Sequence, residues 1–348
     1  MHASVTAPGR RATAFAPRID ALLRDHLGED VFRLDPGTVG VASPTLIDEI
    51  LAARPANDFE RPTFKPLQGR AIPRTEASAV MRAVGQDVRA ALQTPVDLSA
   101  DLSGEWPHVA HNHLRDLVFG SDPYRLKVLV DRRLEWTPKL TWAVIAGGAA
   151  LPRHRGTGRP ASRLAAATAA PAYGERRHAM GMYRRAAAPV CFTVSALVAN
   201  ALWLGAPFAD DVPNRHIIHE SLRLLPVSWN LLRVASPEFH ALDGRIGAGD
   251  DVLMLPLLSH RDPAVWDAPL EFRPERWNHL DPDDTPGYLP FGHANERCWG
   301  RHMVMPLAER LLDTARHNGL APDPRQTTAR VPLAGLMSVV GVRMVPRS

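Results

Sequence analysis

From Arg184 to Ala206 the chain is apolar almost all the way round any helical wheel drawn on it. A surface helix keeps one polar face, so a helix apolar on every side has to be enclosed by other elements. This one segment commits the chain to a helical core built around a central rod. Pro189 removes one backbone donor inside it and predicts a kink. No Asp or Glu occurs between Glu175 and Asp210, and the small polar groups nearest the middle are Cys191, Thr193 and Ser195. Cys191 reads as a small buried apolar residue.

The flanking pattern is mainly helical with a small β region, an α+β class. Helices are expected over 17–26, from the Ser43-Pro44 cap to Ala53, over Thr75–Leu92 and over Trp106–Phe119. Val31–Leu34 and Val39–Ala42 cluster β-branched residues around Pro36-Gly37 and read as a hairpin. Residues 1–15 are expected to be mobile and 16–348 to form a single domain. Residues 54–75 lack periodicity, and 147–175 interleave Gly and Pro with Ala and Arg, which breaks helices and predicts a mobile loop near 152–162.

Net charge is +4, with no block of like charges to suggest a nucleic-acid tail. Two cysteines cannot build a disulfide framework, which fits a reducing cytoplasm. No apolar leader and no long uninterrupted apolar run appear, so neither secretion nor a membrane span is expected.

One of those cysteines carries the chemistry. Residues 291–300 read Phe-Gly-His-Ala-Asn-Glu-Arg-Cys-Trp-Gly and run into a helix-forming stretch. Arg297 and a following helix N-terminus would both lower the Cys298 pKa, and a thiolate binds soft metals. Upstream, Glu220 and Arg223 are three apart and share one helix face. A later arginine, Arg276, lies in Phe272-Arg273-Pro274-Glu275-Arg276-Trp277.

The loop resembles the haem-binding loop of cytochromes P450, patterned Phe-x-x-Gly-x-x-x-Cys-x-Gly. Phe291, Cys298 and Gly300 match, whereas Ala294 stands where the family has Gly and Glu296 where it has a basic residue. Glu220, Arg223 and Arg276 resemble that family's buried Glu-x-x-Arg…Arg triad. Gly244–Asp250 is similar to its Gly-x-x-Ile-Pro-x-Gly hairpin, and Ser259–Pro263 to its Asn-Arg-Asp-Pro turn. The resemblance implies a P450 fold, with reduced lid helices and a shortened segment between the distal helix and the Glu-x-x-Arg helix. It implies haem b with iron bound by the Cys298 thiolate, and Phe291, Arg297 and Gly300 around it. His111, Arg115 and Arg233 stand where the family holds haem propionates. Glu296 is expected to point outward or to pair with Arg301.

On the same resemblance, segment 184–206 is the distal helix, where the family places an acid followed by Thr. That pair supplies protons to bound dioxygen, and positioned donors are worth roughly 10²–10⁴ in rate. Here one register puts Cys191-Phe192-Thr193 at that place and another puts Ser195-Ala196-Leu197 there, and neither restores the pair. Cys191, Phe192, Val227, Ser228, Trp229 and Met337 are the expected pocket residues. The expected activity is that of an oxidoreductase with atypical oxygen chemistry acting on a small, mostly apolar molecule, with a ferredoxin and its reductase as candidate partners. Two other readings stay open: a redox-neutral or peroxide-dependent haem-thiolate enzyme that cleaves or rearranges an O–O or N–O bond, and a non-catalytic haem protein.

Overall fold

The computed structural model describes residues 6–7, 11–52, 74–119, 128–130, 138–150, 172–235, 237–292, 297–333 and 335–347. In chain order the elements are β1 (Thr6–Ala7), β2 (Arg11–Phe15), α1 (Pro17–Asp25), β3 (Val31–Asp35), β4 (Thr38–Val41) and α2 (Pro44–Ala52). Next come α3 (Arg74–Gln93), β5 (Gly104–Trp106), α4 (His108–Phe119), α5 (Pro138–Ala150), α6 (Tyr173–Gly205) and α7 (Asn214–Leu224). The last third holds β6 (Leu231–Val234), α8 (Pro237–Leu242), β7 (Asp251–Met254), α9 (Pro256–Ser259), α10 (Arg301–His317), β8 (Leu320–Pro322), β9 (Thr328–Val331) and β10 (Val342–Pro346).

The central rod is α6. It runs 33 residues, eleven more at its N-terminal end than the apolar pattern predicts, and continues through Pro189. It is long and apolar enough to cross a membrane by length and composition, but it lies buried inside the protein. Helices α3, α4, α5, α7 and α10 all pack on it. From Val194 to Gly205 every residue is buried. Each fully covered Leu or Val there contributes about 1.5–3 kcal/mol of apolar burial.

Small sheets flank this core. One has the order β3-β4-β7-β6, with the predicted hairpin antiparallel and β4 parallel to β7. A second, β5-β10-β8, joins the entry to α4 to the C-terminal strand. The third, β1-β2-β9, corrects the expectation of a mobile N-terminus: residues 11–15 form a strand lying parallel to Thr328–Val331. Trp203 of α6 donates its indole N–H to Thr13, and Arg11, stacked over the same ring, donates to the carbonyl of Ala206. The start of the chain is thereby fastened to the end of the core helix.

The short connection predicted after the distal helix is present, because α6 ends at Gly205 and α7 begins at Asn214. Helix α5 runs through Gly147 and Gly148, where the composition argued for a break. The loop expected near 152–162, and most of the 54–75 segment, lie outside the described residues.

Candidate active site

The site is built from α7 outward. Glu220 and Arg223 are fully buried, and the Glu220 carboxylate is a five-way acceptor. Its Oε1 accepts from Arg223 Nη2 at 2.8 Å, Arg276 Nε at 3.1 Å and the Arg273 backbone N–H at 2.9 Å. Its Oε2 accepts from Arg223 Nε at 3.0 Å and the Trp277 indole at 3.0 Å. Glu220, Arg223 and Arg276 therefore meet at one carboxylate. Arg223 spends its remaining donors on the carbonyls of His260, Pro269 and Glu271, so one side chain pins three points of the 260–271 loop.

His260 carries this framework toward the cysteine. It is fully buried, with Nδ1 3.3 Å from the Leu222 carbonyl and Nε2 accepting the Leu289 backbone N–H at 2.8 Å. Nδ1 therefore holds the proton of a neutral ring, and burial pushes the pKa down to about 3. Unfolded, the same ring titrates near 6.5, so the unfolded chain binds the extra proton across the window from 6.5 down to about 3. Stability from this group is present above that window and is lost as pH falls. By pH 5 it has lost about 2 kcal/mol. Urea unfolding at pH 7 and pH 5 checks this: the midpoint should drop at pH 5, and His260→Gln should flatten the dependence. A wild-type midpoint that does not move between the two pH values contradicts the assignment.

Two residues past Leu289, the Phe291 carbonyl accepts the Cys298 backbone N–H at 2.7 Å and closes the loop. The Gly300 N–H points at the Cys298 sulfur, 3.4 Å away, and α10 begins one residue later. Cys298 is exposed as a residue, yet its sulfur is desolvated enough that burial raises the thiol pKa. The backbone N–H groups of Gly300 and Arg301 act the other way but do not prevail. This corrects the expectation that Arg297 lowers it. Arg297 instead leans on Asp283 at 3.9 Å, and Arg301 pairs with the same carboxylate while standing over the Phe291 ring. Glu296 lies outside the described residues, so its expected pairing with Arg301 does too.

The surroundings of Cys298 fit a metal-bound thiolate. A thiol sulfur in an exposed residue, with backbone N–H groups directed at it, is a donor that a cation would complete. Gly300 has φ −84°, which any residue adopts. A Cβ there would meet nothing closer than the sulfur at 3.7 Å and Met303 at 3.9 Å. No described atom of the chain requires glycine, so the room it leaves beside the sulfur is open to a bound group.

The distal side is set by one face of α6. Asn200 lies seven residues after Thr193, about 20° away on the wheel, and so shares its face. Its amide donates to the carbonyls of Leu225 and Met337 and accepts the Val339 N–H. Met337 in turn donates its N–H to the Val227 carbonyl. That face is thus tied to residues 225–227 and 337–339, which include the expected wall residues Val227 and Met337. From Arg184 to Gly205 the residues not buried are Arg184, Arg185, Pro189 and Thr193. Thr193 is partly open and donates its hydroxyl to the Pro189 carbonyl, one turn back.

Several expectations are corrected here. Ser195 is buried, with its hydroxyl on the Phe192 carbonyl at 3.2 Å, so the open register is that of Thr193. Cys191 is wholly buried, and desolvation raises its pKa far above the thiol range. Phe192 stacks on His111 and is buried as well, so neither residue lines an open pocket. His111 itself is fully buried with Nε2 on the Val130 carbonyl at 2.8 Å. Arg115 lies beside Asp116 at 3.4 Å and within electrostatic reach of Cys191. Helix α4 carries both residues and packs on α3, β5 and α6 as a core helix. Met337 is completely covered, and Val227 and Trp229 are nearly so, leaving Ser228 as the exposed member of that segment. Arg233, on β6, is half-buried and donates through Nη1 to the Leu232 carbonyl at 2.8 Å. The signal that sequence reasoning passed over is Asn200 as the clamp between two pocket walls.

The model of the cytochrome P450 family matches residues 215–312, the stretch holding the triad and the cysteine loop. Over that stretch the sequence matches the cytochrome P450 superfamily. Among curated relatives it is 36% identical over 101 residues to cyclooctatin synthase of Streptomyces melanosporofaciens, covering 27% of this chain and 22% of that protein. It is 33% identical over 116 residues to cyclooctat-9-en-7-ol 5-monooxygenase of the same organism, covering 32% of this chain and 25% of the relative. The chain thus matches about a quarter or less of these relatives' length. Solved P450 structures align throughout. A mutant of P450 EryK in complex with erythromycin B has a TM-score of 0.61 at 18% identity, covering 95% of this chain and 96% of that one. The hydroxylase HmtN of himastatin biosynthesis has a TM-score of 0.60 at 14% identity, covering 92% and 94%. Both likenesses concern the fold.

Proposed function

We propose that this P450 is a haem-thiolate oxidoreductase acting on a small, mostly apolar molecule of the secondary-metabolite kind. The observation that carries the reading is the Cys298 loop: an exposed cysteine, a backbone N–H aimed at its sulfur, and a buried triad linked through His260 to Leu289, two residues before the loop. When bound through Cys298, haem would supply the redox chemistry. Arg233 is the described basic residue retained for a propionate. Thr193 is the half-buried alcohol of α6 whose oxygen would face a bound group on the distal side, with its proton already committed to the Pro189 carbonyl. Val227 and Trp229 keep their segment apolar, and the wall behind Asn200 excludes water. The names of the two Streptomyces melanosporofaciens relatives and of HmtN support an oxygenated secondary metabolite as product. A ferredoxin with its reductase is the expected electron source.

A second reading is favoured by one specific feature, the absence of any Asp or Glu on α6 after Glu175. A chain without that acid suits an oxidant that already carries its proton, such as peroxide, or an O–O or N–O bond brought by the substrate. The deciding experiment is a reduced-CO difference spectrum on one haem-loaded preparation, with dithionite and then with NADPH, ferredoxin and reductase. A red-shifted Soret band in both supports the oxygenase. The band with dithionite alone, together with peroxide-supported turnover, favours the second reading. No red-shifted band in either refutes both. Within the oxygenase reading, Thr193→Ala should lower product formed per NADPH several-fold or more, whereas Ser195→Ala should leave it unchanged. The reverse result would move the register to Ser195.

A further inference from the structure

A cavity of about 190 Å³ opens between α7, the 282–292 loop and the start of α10, and the proposed function does not use it. Its lining shares no residue with the distal set of Thr193, Val227, Ser228, Trp229 and Met337. It borders the cysteine loop on both sides, at Phe291 ahead of Cys298 and at Arg297 and Arg301 around it. The polar floor is His219 with Tyr288. The Tyr288 hydroxyl lies 2.9 Å from His219 Nδ1 and 3.1 Å from the His219 carbonyl. A carbonyl only accepts, so the phenol proton goes there and Nδ1 donates its own to the phenol oxygen. That tautomer leaves Nε2 a bare lone pair. Nε2 has no hydrogen-bond partner among the described residues and is not sealed off, so it is open to the cavity that the ring lines. Burial, with Arg215 and Arg301 nearby, pushes the ring's pKa down to about 4, and the nitrogen stays unprotonated at neutral pH.

We propose that this cavity binds a small neutral phenol, its ring against the apolar wall and its hydroxyl donating to His219 Nε2. A bare imidazole nitrogen can be used only by a donor. The surroundings that keep a proton off His219 also disfavour a cationic donor beside it. The rim guanidiniums do not call for an anion, because Arg297 and Arg301 both turn to Asp283. Asp284 is exposed, where water and salt screen its pull on a cation. Pro282, Pro286, Leu289 and Phe291 supply apolar wall, and a cavity of about 150 Å³ already holds a benzene ring.

Ligand-observed NMR titration of the haem-loaded protein with phenol, anisole and benzylamine tests this. Phenol should bind at least tenfold more tightly than anisole, which keeps the ring and loses the donor, and more tightly than the benzylammonium ion. Pro282→Trp, which fills the cavity from its wall, should abolish phenol binding. His219→Phe keeps a ring at the floor and should reduce phenol to the level of anisole. Absent phenol binding, equal binding of phenol and anisole, or tighter binding of benzylammonium by wild type overturns the proposal. So does phenol binding that Pro282→Trp leaves unchanged, because the ligand then sits elsewhere. Should His219→Phe fail to fold, wild type and Pro282→Trp decide the matter with the same three probes. The reduced-CO spectrum decides the haem-thiolate reading separately, which keeps the two failures apart.

Discussion

Glu220→Gln is expected to cost the protein about 3–5 kcal/mol, because it strips the charge from a buried pair and leaves the partner behind. The carboxylate accepts five hydrogen bonds, and Arg223 has no route to water. A carboxamide keeps the shape but presents two donors where arginine and indole N–H groups already point. The loss should spread along the covalent order of the site. Arg223 holds the carbonyls of His260, Pro269 and Glu271, and His260 holds Leu289 two residues before the cysteine loop opens. The measurement is the unfolding free energy in urea, with Arg273→Ala as control. That arginine is paired at the surface with Asp267 and Glu275, where removal typically changes stability by about 0.5 kcal/mol or less. A Glu220→Gln variant within 1 kcal/mol of wild type would mean that the network is not what holds the loop.

The parts of this site that were legible in the sequence are the ones decided locally. Glu220 and Arg223 meet because three residues bring them to one helix face. The helix that ends at Gln93 shows in its periodicity, and the hairpin at 31–41 shows in its β-branched clusters. What could not be read depends on distant partners. Residues 11–15 become a strand only because Thr328–Val331 lies alongside. His111 and Arg115 do share a helix, but what that helix faces is set by the packing of α3 and α6, which puts His111 against Phe192 and Val130. Thr193 and Ser195 are equivalent on paper. The clamp made by Asn200 decides which face of α6 is open, and its partners lie 25 and 137 residues further on.

Cys298→Ala should remove the red-shifted Soret band of the reduced-CO complex while leaving the protein as stable as before. The two halves of that expectation come from different parts of the structure. The sulfur contributes little to packing: Cys298 is an exposed residue, and its sulfur is met by the backbone N–H groups of Gly300, at 3.4 Å, and of Arg301. The loop itself is closed by backbone, through the Cys298 N–H on Phe291 and the α10 start on the Cys298 and Gly300 carbonyls, and alanine keeps all of these bonds. Unfolding free energy without haem should therefore change by about 0.5 kcal/mol or less. A thiolate ligand is electron-rich in a way that no methyl group or water replaces, so the spectral change should be complete rather than graded. Histidine at the same position offers a second probe, since it restores a ligand without the sulfur and should give a CO complex with an unshifted Soret band. A red-shifted band that survives in the alanine variant would remove Cys298 from the iron. A large loss of stability without haem would make the thiol a structural group and leave the exposed cysteine, the N–H groups aimed at its sulfur and the space beside Gly300 without a shared purpose.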